Sequence, residues 1–148
     1  MTGAQDRVPE ARILEFEIPS DVQFIERVVE AVRAECRRLR YPERHLTLNV
    51  PVALTEAISN AILRGNDRSR DKSVRVWASV DQLRLIVEVA DEGERFDLWA
   101  CAVDPTTPDR LMAEDGRGLF LMLRLMDQVE HVHRQDGNVV RMVLNRAS

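Results

Sequence analysis

Two runs of alternating hydrophobicity, separated by two polar residues, constrain this chain most. Val74, Val76, Ala78 and Val80 alternate with Arg75, Trp77 and Ser79, and Leu83, Leu85, Val87 and Val89 follow after Asp81-Gln82. Successive strand side chains point to opposite faces, so each run buries one face, and the short gap makes the pair a hairpin. An isolated hairpin is marginal in water. The rest of the chain therefore has to cover its apolar face.

Arg12 to Ile18 reads as a further short strand, with Ile13, Phe16 and Ile18 apolar and Glu15 and Glu17 charged, imperfect at Leu14 and ended by Pro19. Ser20-Asp-Val-Gln23 reads as a capping box, in which a hydroxyl and an amide satisfy each other's backbone donors. The helix after it carries Ile25, Val28, Val29, Val32, Cys36 and Leu39 at helical spacing. A second helical pattern runs from about His45 to Leu63. Pro51 interrupts it, so this helix either kinks there or starts its regular part near Val50. Gly65-Asn66 stops it, and Asp67 to Lys72 is a charged loop. Leu119, Met122, Leu125, Met126 and Val129 mark a third helix, and two strands, about Gln128 to Arg134 and Val139 to Leu144, flank Asp136-Gly137, a hairpin turn.

Adjacent hairpins with separate helices predict an α+β two-layer sandwich, one sheet covered on one face by helices. A chain of 148 residues fits one domain. Residues 1–10 are polar and read as a loose tail, residues 11–148 as the domain. Glu92 to Asp115 holds Pro105, Pro108 and few periodic apolar residues; a segment this long inside a compact domain is usually a lid or disordered, and the lid is placed at about 94–115. Net charge is −4, with 45% apolar and 31% charged residues, which predicts a soluble globular protein and argues against nucleic acid as the partner. Cys36 and Cys101 form no metal or redox motif. The N-terminus has no apolar core for a signal peptide, and no apolar run approaches the ~20 residues that span a bilayer, so the expected location is cytoplasmic.

Three segments carry chemistry. Glu56 and Asn60 are four apart and share a helix face. The amide oxygen suits Mg²⁺ beside phosphate oxygens, and the carboxylate can take a proton from an attacking hydroxyl. A solvent-facing polar stripe has the same spacing. In the second segment, Asp91 ends a buried strand and is followed by Gly93 and Phe96. The carboxylate can accept the exocyclic amine of adenine while Gly93 lets backbone approach the base; an ordinary Asp-Gly turn reads the same way. In the third, Gly116-Arg-Gly118 opens a helix, where bare N–H groups and the helix dipole attract phosphate, although a lone GxG also marks simple loop-to-helix punctuation.

Together, in this order and spacing, the segments resemble the N, G1 and G2 boxes of the GHKL (Bergerat-fold) ATPases. They are most similar to the small bacterial anti-sigma-factor serine/threonine protein kinases. The likeness rests on Ala53-Leu-Thr-Glu-Ala-Ile-Ser-Asn-Ala-Ile62, Asp91-Glu-Gly-Glu-Arg-Phe96, Gly116-Arg-Gly-Leu-Phe-Leu-Met122 with Leu125-Met-Asp127, and Gly137-Asn138. It implies a histidine-kinase-like ATPase domain with a mixed, mostly antiparallel sheet under three helices. It implies ATP and Mg²⁺ as cofactors, Glu56 as general base and Asn60 as the Mg²⁺ ligand. Asp91, Gly93 and Phe96 are implied at the base, and Gly116, Arg117, Gly118 and Leu119 at the phosphates. Arg64 stands where many members have His, and either points a fixed cation at a phosphate or faces solvent. The implied partners are a STAS-domain anti-anti-sigma protein, phosphorylated on serine or threonine, and an RNA polymerase sigma factor, sequestered; many members are homodimers. Two other activities fit the same residues: a switch kinase acting on a STAS scaffold without sigma, and a non-catalytic ATP-binding anti-sigma module. His131 and His133 point the same way on their strand and read as surface imidazoles.

Overall fold

A computed structural model describes residues 11–67, 69, 71–94 and 114–148, the last stretch by its backbone alone as far as residue 117. Strand β1 (Arg12–Pro19) is followed by helix α1 (Ile25–Arg38) and helix α2 (Val50–Asn60), then by β2 (Ser73–Val80) and β3 (Arg84–Ala90). Helix α3 (Glu114–Leu125), β4 (Gln128–Arg134) and β5 (Gly137–Asn145) close the described chain. The strands form one sheet in the order β1-β2-β3-β5-β4. All four pairings are antiparallel, with no parallel pair among the described residues.

Register explains which face is dry. Phe16 pairs with Val76, Val76 with Val89 and Val89 with Val140. These residues, with Ile18, Val74, Ala78, Leu85, Val87, Met142 and Leu144, meet Val28, Val32, Leu54, Ile58 and Met122 from the helices in one core cluster. Each fully buried aliphatic side chain contributes roughly 1.5–3 kcal/mol. The opposite face carries Glu15, Trp77, Glu88 and Arg141 in one cross-strand row. There Arg141 and Arg134 both reach the Glu88 carboxylate, at 3.5 and 3.9 Å.

The middle helix departs from ideal geometry at both ends. His45–Asn49 and Ala61–Gly65 are wide turns in which the N–H bonds five residues back, as in Val50 N–H to His45 O and Asn66 N–H to Ala61 O. The first wide turn absorbs Pro51, which sits in the first turn of α2 where a missing N–H does least harm. The run His45–Gly65 is 21 residues long with a hydropathy of 1.3, enough by length and composition to cross a bilayer. Here it is the central core helix, packed between α1, α3 and the sheet, with Leu54, Ile58 and Ile62 fully buried.

The expected capping box is built differently. Asp21 is the cap: its Oδ1 accepts from Gln23 N–H at 3.0 Å and its Oδ2 from Gln23 Nε2 at 2.9 Å. Ser20 is buried instead, donating to Lys72 O at 3.0 Å and accepting from Asn66 Nδ2 at 2.8 Å. The shorter hydroxyl serves a tertiary contact, and the neighbouring carboxylate takes over the local one. Helix α1 ends without glycine. Arg40 takes φ 59, with Tyr41 N–H bonded to Cys36 O and Arg40 N–H to Arg37 O, both at 3.0 Å, the bond pattern of a Schellman motif.

Candidate functional site

Helix α2 is the spine of the site. Glu56 and Asn60 lie one turn apart on it, Glu56 half-buried and Asn60 only 8% exposed. Burial pushes the Glu56 carboxyl above its usual range, because the charged form loses solvation. Asn60 Nδ2 is buried and has no hydrogen-bond partner among the described residues. A buried amide end left bare is costly unless a ligand completes it. A half-turn of that amide presents oxygen at the same point, the donor a hard cation takes.

The N-terminal part of α3 lies directly against this stripe. A Cβ added to Gly118 would stand 2.1 Å from Glu56 Oε2 and 2.9 Å from its Cδ. Only a residue without a side chain leaves the carboxylate room to stand where it does. Gly116 and Arg117 fall in the first turn of α3, which begins at Glu114, two residues earlier than Gly116. The first N–H groups of a helix have no partner within it. Leu119 is fully buried in the core, so its side chain anchors α3, and its N–H falls inside the helix ladder rather than at the open end.

At the other end of α2 the second segment meets the spine. A Cβ on Gly65 would lie 1.9 Å from Asp91 Oδ2, and one on Gly93 would lie 1.4 Å from Gly65 O. Asp91 is 6% exposed. Its Oδ1 accepts from Gly93 N–H at 2.8 Å, from Asn138 N–H at 3.2 Å and from Asn138 Nδ2 at 2.9 Å. Three donors on one oxygen fix the carboxylate and leave Oδ2 as the acceptor for a ligand. Asn66, fully buried, ties the corner together: its Oδ1 accepts from Glu92 N–H at 2.7 Å and its Nδ2 donates to Ser20 Oγ and Ser73 O, both at 2.8 Å.

From Glu56 to Gly65 is nine residues, about 13 Å along a helix. The structure thus brings Gly118 against Glu56 at one end of a spine whose other end, at Gly65, meets Asp91 and Gly93, with Asn60 between the two. Arg64 is half-buried in the last turn of the α2 run. Phe96 and nearly all of the expected lid lie outside the described residues. Sequence reasoning passed over Gly65, read only as a helix stop, and gave Asn66 and Asn138 no role in the site. Their signal was weak, since a polar residue beside a glycine marks any turn.

Residues 18–144 match the family model of the histidine kinase-like ATPase domain. The chain belongs to that family. Among curated relatives, Serine-protein kinase RsbW of Bacillus pumilus is 32% identical over 145 residues, covering 90% of this chain and 87% of its own. Serine-protein kinase RsbW of Bacillus subtilis is 29% identical over 137 residues, covering 89% and 84%. Anti-sigma F factor of Clostridium beijerinckii is 28% identical over 99 residues, covering 66% and 68%. For this histidine kinase-like ATPase domain, the match takes in every described site residue, from Glu56 to Asn138.

Proposed function

We propose that this chain is an ATP-dependent serine/threonine protein kinase and anti-sigma factor. It phosphorylates a STAS-domain anti-anti-sigma protein and sequesters an RNA polymerase sigma factor. The observation that carries the kinase reading is the meeting of Gly118 with Glu56, which supports reading the N-terminal part of α3 as the phosphate site and Glu56 as the base beside it. The relatives' names, serine-protein kinase and anti-sigma F factor, support a protein serine as phosphate acceptor and a sigma factor as partner.

The nucleotide lies along α2. Asp91 Oδ2 accepts from the adenine amine, Gly93 and Phe96 line the base, and the open N–H groups in the first turn of α3, Gly116 among them, receive the phosphates, with Arg117, Gly118 and Leu119 following along the same helix. Asn60 is the protein ligand for Mg²⁺, a hard cation that takes oxygen donors beside phosphate. The ion, when bound, offsets charge on the phosphates. Arg64, one helical turn past Asn60 toward the adenine end, points its fixed cation back at a phosphate.

Glu56 accepts the proton of the substrate hydroxyl as that oxygen forms its bond to the γ-phosphorus, and the bond to the β-phosphate bridging oxygen breaks to release ADP. A carboxyl held above its usual range by burial is a better base than an exposed one. The uncovered sheet face, with Ile13 and Val132 about half exposed around the Trp77 row, supports assembly as a homodimer, and the cytoplasm is the compartment in which sigma factors work. Transfer of radiolabelled γ-phosphate from Mg·ATP to a purified STAS-domain protein tests the reading. Labelled serine or threonine is the expected result, and no transfer by nucleotide-bound protein would refute it.

A further inference from the structure

The adenine end contains a relay that reaches the protein surface through two residues of the last hairpin. His133 and Asn138 are cross-strand partners in the β4–β5 register. Asn138 is 1% exposed, whereas His133 is exposed. Asn138 Nδ2 donates to Asp91 Oδ1 and to Glu94 O, each at 2.9 Å. Both amide hydrogens are then spent, so Asn138 Oδ1 is an acceptor, and the ring nitrogen 3.0 Å from it, His133 Nδ1, must carry a hydrogen. The backbone repeats the link: Asp91 N–H donates to Asn138 O at 3.0 Å, and Asn138 N–H donates to Asp91 Oδ1 at 3.2 Å.

We propose that Asn138, locked in orientation by His133, is a specificity-positioning residue for the purine. The inference rests on the nucleotide reading above. A side-chain amide has two orientations differing by a half-turn. In the observed one, nitrogen faces Asp91 Oδ1 and Glu94 O, and the His133 N–H closes the remaining oxygen. In the other, the amide oxygen would face the Asp91 carboxylate at hydrogen-bond distance, and two acceptors would repel. With the lock in place, Asp91 Oδ1 is saturated and Oδ2, an acceptor by its charge, is held turned toward Gly65. A pure acceptor binds a 6-amino purine and rejects a 6-oxo purine, because the unmatched pair leaves two buried lone pairs opposed. Loosening Asn138 lets the carboxylate rotate and blurs that choice. The contact with Glu94 O adds a second consequence: the amide that orients Asp91 also holds the backbone at the entry to the expected lid.

A hollow of about 410 Å³ lined by Lys72, Glu92, Gly93, Glu94, Gln135, Asp136 and His133 opens beside the relay. Water can therefore compete for the amide once the imidazole is removed. One net hydrogen bond sets the scale, about two- to tenfold in affinity.

The test is calorimetric titration of Mg·ADP and Mg·IDP into wild type, His133→Leu, His133→Asn and Asn138→Ala, with a thermal melt of each. The amide nitrogen of Asn can stand where His Nδ1 stands, so it restores the donor. Expected are a two- to tenfold fall in the ADP-over-IDP preference for His133→Leu, a return to within twofold of wild type for His133→Asn, and a larger fall for Asn138→Ala. A merely structural role would weaken both nucleotides alike and leave the ratio unmoved. An unchanged ratio in His133→Leu, or no rescue by Asn, overturns the proposal. A wild type that binds ADP and IDP equally also overturns it, and a wild type that binds neither refutes the nucleotide reading instead. If Asn138→Ala does not fold, the two His133 variants, on an exposed edge-strand position, carry the decision.

Discussion

Gly118→Ala isolates the contact on which the kinase reading turns. The added Cβ would fall 2.1 Å from Glu56 Oε2 and 2.9 Å from Cδ, where non-bonded carbon does not go. The obstacle is the far end of a flexible side chain, so the carboxylate swings aside and the backbone is spared. Replacing glycine inside a helix gains about 1 kcal/mol of propensity, and overpacking costs about 1–3 kcal/mol. The net change in stability is therefore small, within about 2 kcal/mol on those two estimates. The catalytic change is not small, because a misplacement of about 1 Å in a reacting group costs on the order of 100-fold in rate. Single-turnover phosphate transfer at saturating Mg·ATP, beside a urea melt and a calorimetric ADP titration, reads the three quantities separately. The expected result is a rate about 100-fold down with ADP affinity and melting midpoint nearly kept. A variant transferring phosphate at the wild-type rate would refute the claim that Glu56 acts from this position.

Asp91→Asn turns the free Oδ2 into a donor, so ADP affinity should fall by at least about tenfold by calorimetry, the scale of a hydrogen bond to a charged group, while the Oδ1 contacts and the fold survive. Glu56→Gln should abolish transfer and also stabilise the protein at neutral pH. Burial raises the carboxyl's folded pKa, so its ionised form opposes folding above that pKa, and the gain from Gln should vanish as pH falls through the raised value toward 4.5. For the same reason the acid limb of the pH–rate profile should lie above the ordinary carboxylate range. Asn66→Ala strips partners from Glu92 N–H, Ser20 Oγ and Ser73 O and should cost about 2–4 kcal/mol in urea melts. Arg40→Gly relieves a left-handed backbone at φ 59 and should raise stability by about 1 kcal/mol.

The sheet and its dry face were legible because alternation over Val74–Val80 and Leu85–Val89 has only one register that buries valine. The third helix and the last hairpin were legible too, from helical spacing and Asp136-Gly137, although α3 ends at Leu125 and Val129, counted on its apolar face, lies in β4. What the residues did not disclose is where polar side chains go once the core has formed. Ser20 and Asp21 are both good caps, and only the arrival of Asn66 from 46 residues away decides between them. Gly65 looked like punctuation because its role is a close approach to Asp91, a contact between segments that no local pattern encodes. Asn138 was visible only as part of a family likeness, since the partners that give it meaning are Asp91 and Glu94 on a distant segment and His133 across the hairpin, which no local pattern links to it. The wide turns flanking α2 are similarly silent in sequence, apart from the strain that Pro51 announces.

The central claim is that one nucleotide is held along α2 by segments at both ends at once. Titration of ¹⁵N-labelled protein with Mg·ADP, following the backbone amides of Gly65, Gly93 and Gly118, tests it most directly. The account predicts that all three signals move along curves with a single dissociation constant. Movement at only one end of the helix, or different constants at its two ends, would contradict it.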